Sequence, residues 1–179
     1  RRCSMAWISH WAALNRLVLQ SLLPLTAFCQ IIHITGKNKM HGGQLSCPRY
    51  HAYEFLTDQF KHALAVADLV VSRAGFSTIT ELAILAKPLV LIPMQRSHQE
   101  DNARFFEASE AAKVLHEKSL TPEILTQTIR ELLDNTELRF MLSANISKLM
   151  RVDGTERIIQ EIGRLLEVGI AITPWSAKS

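Results

Sequence analysis

Apolar residues along this chain fall into two rhythms: short, largely apolar runs, and longer stretches in which they recur every three or four positions. The runs are Cys29 to Ile34, Tyr50 to Phe55, Asp68 to Ser72, Pro88 to Pro93 and Ala112 to His116. Their length and bounding turn residues predict buried β-strands. Helical spacing marks Trp11 to Leu23, with Pro24 discouraging continuation, then Asp58 to Ala67, Ser77 to Leu85 and His98 to Ser109. Thr121 as N-cap and Pro122 at the first helical position open a helix to about Leu133. Asn135 to Met150 and Asp153 to Val168 follow as helices. The last carries Ile158, Ile159, Ile162, Leu165 and Leu166 on one side, a narrow stripe read as core packing rather than as a membrane-surface face.

Strand and helix alternate through the middle of the chain with short connections, which is the sequence form of a parallel sheet with crossover helices. The fold class is therefore α/β, a Rossmann-like parallel sheet flanked by helices. Residues 1–168 read as one domain, Asn38 to Pro48 as its flexible loop and 169–179 as a loose tail. No internal repeat is present.

Composition narrows the function only a little. The chain has 179 residues, 47% of them hydrophobic and 21% charged, which suits a globular domain and argues against disorder. Twenty basic against seventeen acidic side chains leave a net charge of +3, too small and too evenly spread for a nucleic-acid partner. Cys3, Cys29 and Cys47 are an odd number without C-x-x-C spacing, and read as free thiols in a reducing compartment. The run Leu17 to Ile34 is interrupted by too many polar residues to span a bilayer. The chain opens on Arg1 instead of Met, so its first residues need not be a natural start.

The chemistry gathers between Ala67 and Asn102. A glycine between a strand end and a helix start, in Arg73-Ala74-Gly75, lets the chain turn and leaves the helix amides open to phosphate. Ser77 or Thr78 would then serve a ligand or merely cap the helix. Glu81 could accept two ribose hydroxyls, or complete a capping box with Thr78, which has the S/T-x-x-E spacing. Gln95, His98, Gln99 and Asn102 follow the next strand and supply the donors and acceptors a sugar ring requires, or form a solvated helix start. Thr35-Gly36-Lys37 could add a hydroxyl, an amide and a positive charge near a diphosphate. The histidines lack metal-ligand spacing, so no metal is expected, nor is there a G-x-S-x-G elbow.

Taken in order, Ala67 to Leu82, Lys87-Pro88, Ile92-Pro93 and His98-Gln99-x-x-Asn102-Ala103 resemble the MurG family, with Leu14-Asn15-Arg16, His33 to Lys37 and Glu54-Phe55-Leu56 extending the match. These enzymes are UDP-N-acetylglucosamine transferases that complete lipid II for bacterial peptidoglycan. The similar part is their C-terminal, donor-binding domain, of glycosyltransferase family 28 type and GT-B architecture. The resemblance implies that Glu81 binds the ribose and that Leu56 offers its backbone to uracil. It places Thr35, Ser77 and Thr78 at the diphosphate with Arg73 and Gly75 nearby, and Gln99 and Asn102, with His98 beside them, at the sugar. It implies no cofactor beyond the UDP-sugar substrate. The family's pattern is broken at Ala6 to Ala13, where Trp7 and Trp11 stand in place of a glycine-rich first turn.

The resemblance further implies a lipid-linked acceptor and a catalytic base supplied by an N-terminal domain not among these residues. The complete enzyme would lie on the inner face of the bacterial membrane. Three other readings stay open: a donor subunit of a split transferase working beside a membrane partner, a non-catalytic UDP-sugar-binding remnant, and a glycolipid synthase acting on diacylglycerol.

Overall fold

The computed structural model describes residues 3–8, 12–39, 47–149 and 154–165. Its centre is a six-stranded, all-parallel sheet in the order β3-β2-β1-β4-β5-β6. The strands are β1 (Ser4–Ile8), β2 (Gln30–Ile34), β3 (Tyr50–Tyr53), β4 (Leu69–Ser72), β5 (Leu89–Leu91) and β6 (Lys113–Val114). The helices are α1 (Ala12–Gln20), α2 (Leu22–Thr26), α3 (Asp58–Val66), α4 (Phe76–Ile84), α5 (Gln99–Ala108), α6 (Pro122–Asp134), α7 (Thr136–Leu149) and α8 (Gly154–Leu165).

At the centre of the sheet both faces are covered, which is why β4 and β5 read as apolar runs, whereas edge strand β3 alternates half-buried and exposed residues. On one face Ala6, Val70 and Leu91 pack against α3, α4 and α5 through Leu64, Ile79, Leu82 and Phe106. On the other, Met5, Ile31 and Val90 meet α1, α2 and α6 through Val18, Leu25 and Ile129. Each large side chain so buried contributes roughly 1.5–3 kcal/mol.

Four expectations change. The pattern gave no strand at Ser4–Ile8, yet β1 lies mid-sheet between β2 and β4. A short central strand buried on both faces shows no alternation, and Met and Ala are not strong strand formers. Trp7 accordingly sits inside β1 with 1% of its surface exposed, edge-on to His33 at 6.4 Å between ring centres. It is a core residue and does not fill the first turn; Trp11 lies outside the described residues, as do residues 40–46 of the expected loop and the whole expected tail.

The other changes are local. The helix does not end at Pro24 but breaks earlier, at Ser21, and resumes as α2 with Pro24 in its first turn, where a missing N–H costs no intrahelical bond. Strand β3 stops at Tyr53, so Phe55 belongs to the following loop. Helix α8 leaves Ile158, Ile159 and Ile162 exposed instead of packed. An amphipathic stripe says that a face is apolar, not what covers it.

Helices α4 and α5 end in the same way. Lys87 N–H bonds the Leu82 carbonyl and Ala86 N–H that of Ala83, while Ala111 and Glu110 repeat the pattern onto Phe106 and Glu107. These are Schellman closures with Ala86 (φ 49°) and Glu110 (φ 50°) at the left-handed position normally held by glycine. Relief of that strain outweighs the added chain entropy of glycine. Ala86→Gly and Glu110→Gly are each expected to stabilise the fold by about 0.5–1 kcal/mol in urea unfolding.

Candidate functional site

Because all strands run the same way, the segments after β2, β3, β4, β5 and β6 emerge along one edge. In open α/β sheets ligands bind at this edge, where the strand order reverses. Here the reversal lies between β1 and β4, so Arg73-Ala74-Gly75 stands beside it.

That loop is tightly held. Arg73 is largely buried; its Nη1 donates to the Ile92 carbonyl at 3.1 Å and to Glu117 Oε2 at 3.0 Å, and its Nη2 donates to Glu117 Oε1 at 3.2 Å. Asn102 Nδ2 donates to the Ala74 carbonyl at 3.0 Å, and the Ser72 hydroxyl to the Arg73 carbonyl at 3.1 Å. The end of β5, helix α5 and the short 3-10 turn Glu117–Ser119 thus all grip one loop. Arg73's charge is offset by Glu117, so the residue works chiefly by positioning.

Gly75 is the N-cap of α4, with φ −74° and ψ 129°. Any residue adopts that conformation, so the turn does not require glycine. A Cβ built there meets nothing within 4 Å, which leaves open room directly above the helix start. Ile79 N–H is the first to bond back, to the Gly75 carbonyl at 3.0 Å, so the amides of Phe76, Ser77 and Thr78 have no intrahelical acceptor.

The helix start also decides between the two readings of the side chains. Ser77 and Thr78 are the second and third helical residues, and Glu81 is the sixth. None of them caps the helix, and the capping box between Thr78 and Glu81 does not form. Among the described residues the side chains of Ser77, Thr78 and Glu81 make no hydrogen bond, and Glu81 is exposed.

On the β5 side His98 is the N-cap of α5 without a side-chain cap; just ahead of it the Ser97 hydroxyl accepts from Gln99 N–H at 3.2 Å, and Glu100 Oε2 accepts from Arg96 N–H at 3.0 Å. Gln99 Oε1 accepts from Met94 N–H at 3.1 Å, leaving its NH2 group to offer, and Asn102 keeps its Oδ1. His98 is exposed. Solvation alone does not describe these residues, because Gln99 and Asn102 brace the loops while keeping one polar atom each in reserve.

On the β2 side Gly36 adopts φ 87°, a conformation that favours glycine. The Thr35 hydroxyl is turned inward, 3.3 Å from both the Gly36 and Tyr53 carbonyls, whereas Lys37 is exposed. Behind this turn lies a buried network that metal-spacing arguments overlooked. Asn15 donates through Nδ2 to the Thr35 carbonyl at 2.8 Å and so presents Oδ1 to His33 Nε2, 3.1 Å away. The Tyr50 hydroxyl lies 2.8 Å from His33 Nδ1 and donates to it. The imidazole is therefore neutral with its proton on Nε2, and burial holds its pKa down to about 4. Leu56, after β3, buries its side chain in the cluster that holds Ala63 and meets Ile32. Among the described residues no three His, Cys, Asp or Glu side chains gather as a metal site.

Residues 9–158 match the model of the glycosyltransferase family 28 C-terminal domain. The chain belongs to that family. It is 36% identical over 156 residues to the UDP-N-acetylglucosamine–N-acetylmuramyl-(pentapeptide) pyrophosphoryl-undecaprenol N-acetylglucosamine transferase of Crocosphaera subtropica, covering 84% of this chain and 44% of that protein. The transferase of the same name from Geobacillus kaustophilus is 36% identical over 159 residues, covering 85% and 44%. The chain thus spans less than half the length of these relatives. In structure it is similar to MurG of Acinetobacter baumannii, with a TM-score of 0.74 at 22% identity, covering 92% of this chain and 50% of that one. A glycosyltransferase of kitacinnamycin superposes with a TM-score of 0.75 at 20% identity, covering 92% and 43%. The fold is that of the C-terminal half of a GT-B glycosyltransferase.

The neutral His33 gives a pH test of the network. In the unfolded chain it takes up a proton near pH 6.5, whereas the fold resists protonation down to about 4. Between those values the unfolded state binds more protons, so this contribution is fully present above about pH 6.5 and falls as the pH drops. The loss approaches on the order of 3 kcal/mol at pH 4. Urea unfolding across this window should show that slope, and His33→Gln should flatten it by about one proton.

Proposed function

We propose that this chain is the donor-binding half of an inverting transferase that moves N-acetylglucosamine from UDP-N-acetylglucosamine to a lipid-linked muramyl peptide in peptidoglycan synthesis. The observation that carries the reading is the start of α4, where three amides, two hydroxyls and a carboxylate remain unspent around open space at Gly75. Membership of the family and the names of the relatives that match along most of this chain supply the substrate class.

In this reading the diphosphate sits over Gly75 against the amides of Phe76 to Thr78, with the Ser77 and Thr78 hydroxyls beside it. Glu81 accepts the ribose hydroxyls, and the backbone at Leu56 recognises uracil. The sugar lies toward His98, the free NH2 of Gln99 and Oδ1 of Asn102. Thr35 and its glycine turn close the diphosphate side, with Lys37 extending toward it. As the acceptor hydroxyl displaces UDP at the anomeric carbon, charge gathers on the leaving diphosphate, and preorganised amides and Lys37 relieve it.

The acceptor site and the catalytic base lie outside the residues described here, in the part of the enzyme that meets the cytoplasmic face of the membrane. No described helix is long and apolar enough to cross a membrane. Trp7 is buried within β1 and so does not stand in the path of a phosphate, while the rest of the first turn, Trp11 included, lies outside the described residues.

Calorimetric titration of the purified chain should show binding of UDP-N-acetylglucosamine and UDP. Glu81→Ala should weaken both by roughly 10–100-fold, as expected for lost hydrogen bonds to a charged group. Gly75→Ala should leave unfolding stability within about 1 kcal/mol of the parent while weakening the same ligands, because the new methyl occupies ligand space. Absence of uridine-nucleotide binding by folded protein would overturn the reading.

A further inference from the structure

The chain's three cysteines all lie at the sheet edge opposite the candidate site, each just ahead of a strand: Cys3 before β1, Cys29 before β2 and Cys47 before β3. Two of them are brought side by side. Strands β1 and β2 pair in parallel with Ser4 opposite Gln30, and the register continues one residue back to put Cys3 opposite Cys29. The Gln30 N–H bond to the Cys3 carbonyl, at 3.0 Å, holds that end of the ladder closed. Side chains alternate along a strand, so Cys3 shares a face with Met5 and Trp7, and Cys29 with Ile31. The packing agrees: Cys29 belongs to the core cluster of Met5, Trp7 and Ile31, and Cys3 lies against it. Neighbouring strands are about 4.8 Å apart, inside the roughly 4.4–6.8 Å that Cα atoms span in a disulfide.

We propose that Cys3 and Cys29 form an oxidisable dithiol, a modification site for small-molecule disulfides that closes to a reversible staple between β1 and β2. Cys47 takes no part: β2 separates it from Cys3, and the β2–β3 register, Ile31 opposite Tyr50, runs back to put Pro48 and not Cys47 opposite Cys29. No described third donor joins the pair to make a metal site.

Exposure sets the order of events. Cys3 is partly exposed, whereas Cys29 is buried with its thiol directed at the Leu25 carbonyl, 3.3 Å away. Burial and the neighbouring Cys3 push the Cys29 thiol up to about 12, against the pull of Arg130 and Arg49. Cys3 therefore attacks first. With glutathione disulfide as oxidant, the Cys3 thiolate displaces one glutathione thiolate and forms a mixed disulfide. Capping removes the negative charge that opposed ionisation of Cys29. Cys29 then gives its proton to solvent, and its sulfur displaces the second glutathione thiolate from Cys3. The protein loses two hydrogens and two electrons, and the oxidant leaves as two glutathione thiols.

The test treats the full chain with glutathione disulfide, traps remaining thiols with an alkylating reagent after denaturation, and maps peptides by mass. The expected product is a Cys3 to Cys29 cross-link with Cys47 outside it, reversed by dithiothreitol and accompanied by a raised thermal midpoint. Cys29→Ser should stop at the glutathione adduct on Cys3, and Cys3→Ser should leave Cys29 unmodified. A parent chain that stops at the Cys3 adduct, or that links either residue to Cys47, would overturn the proposal. So would Cys29 reacting as fast in Cys3→Ser as in the parent.

Discussion

Every strand of this sheet runs in the same direction, and that constraint organises both the stability and the chemistry of the molecule. Parallel strands need crossover helices, the helices bury both faces, and the turns that enter those helices are left along one edge. The strand order reverses between β1 and β4, so the loop after β4 stands beside the crevice the reversal opens. Groups 19 to 44 residues apart in sequence thereby meet at that loop.

A loop at such an edge binds well only if its amides are already aimed. The Arg73 guanidinium, shared between the Ile92 carbonyl and the Glu117 carboxylate, is the main brace, and Asn102 on the Ala74 carbonyl is the second. Arg73 is largely buried, so its pairing with Glu117 cannot be judged as an exposed ion pair worth a fraction of a kcal/mol. Removing one partner would strand a charge in low-dielectric surroundings, which makes the arrangement all-or-none. The polar atoms of the site are thus divided: those of Arg73 and Thr35 are spent on holding the loops, while those of Ser77, Thr78 and Glu81 are kept free.

The alternation of elements was legible because apolar runs and helical spacing are properties of the chain alone. Strand β1 was not, since a short strand buried on both faces carries no period and lies beside residues of weak strand preference. The candidate residues from Arg73 to Asn102 could be named from order and spacing, but whether Thr78 and Glu81 capped the helix depended on where the helix began. A shift of three residues, from Thr78 to Gly75 as the N-cap, separates a capping box from a free carboxylate. Glu117 and Asn15 were invisible as site residues because their partners lie 44 and 18 residues away, and no local motif records such a meeting. Gly75 was singled out for the turn, yet the backbone there does not need glycine; what its missing side chain leaves is open volume above the helix start.

The central claim is that a nucleotide diphosphate rests on the amides at the start of α4. Titration of nitrogen-15-labelled chain with UDP, followed by amide chemical shifts, tests it residue by residue. The account predicts the largest shifts at Gly75, Phe76, Ser77 and Thr78, with smaller ones near Leu56. Saturable binding that leaves those four amides unmoved while shifting others would contradict it.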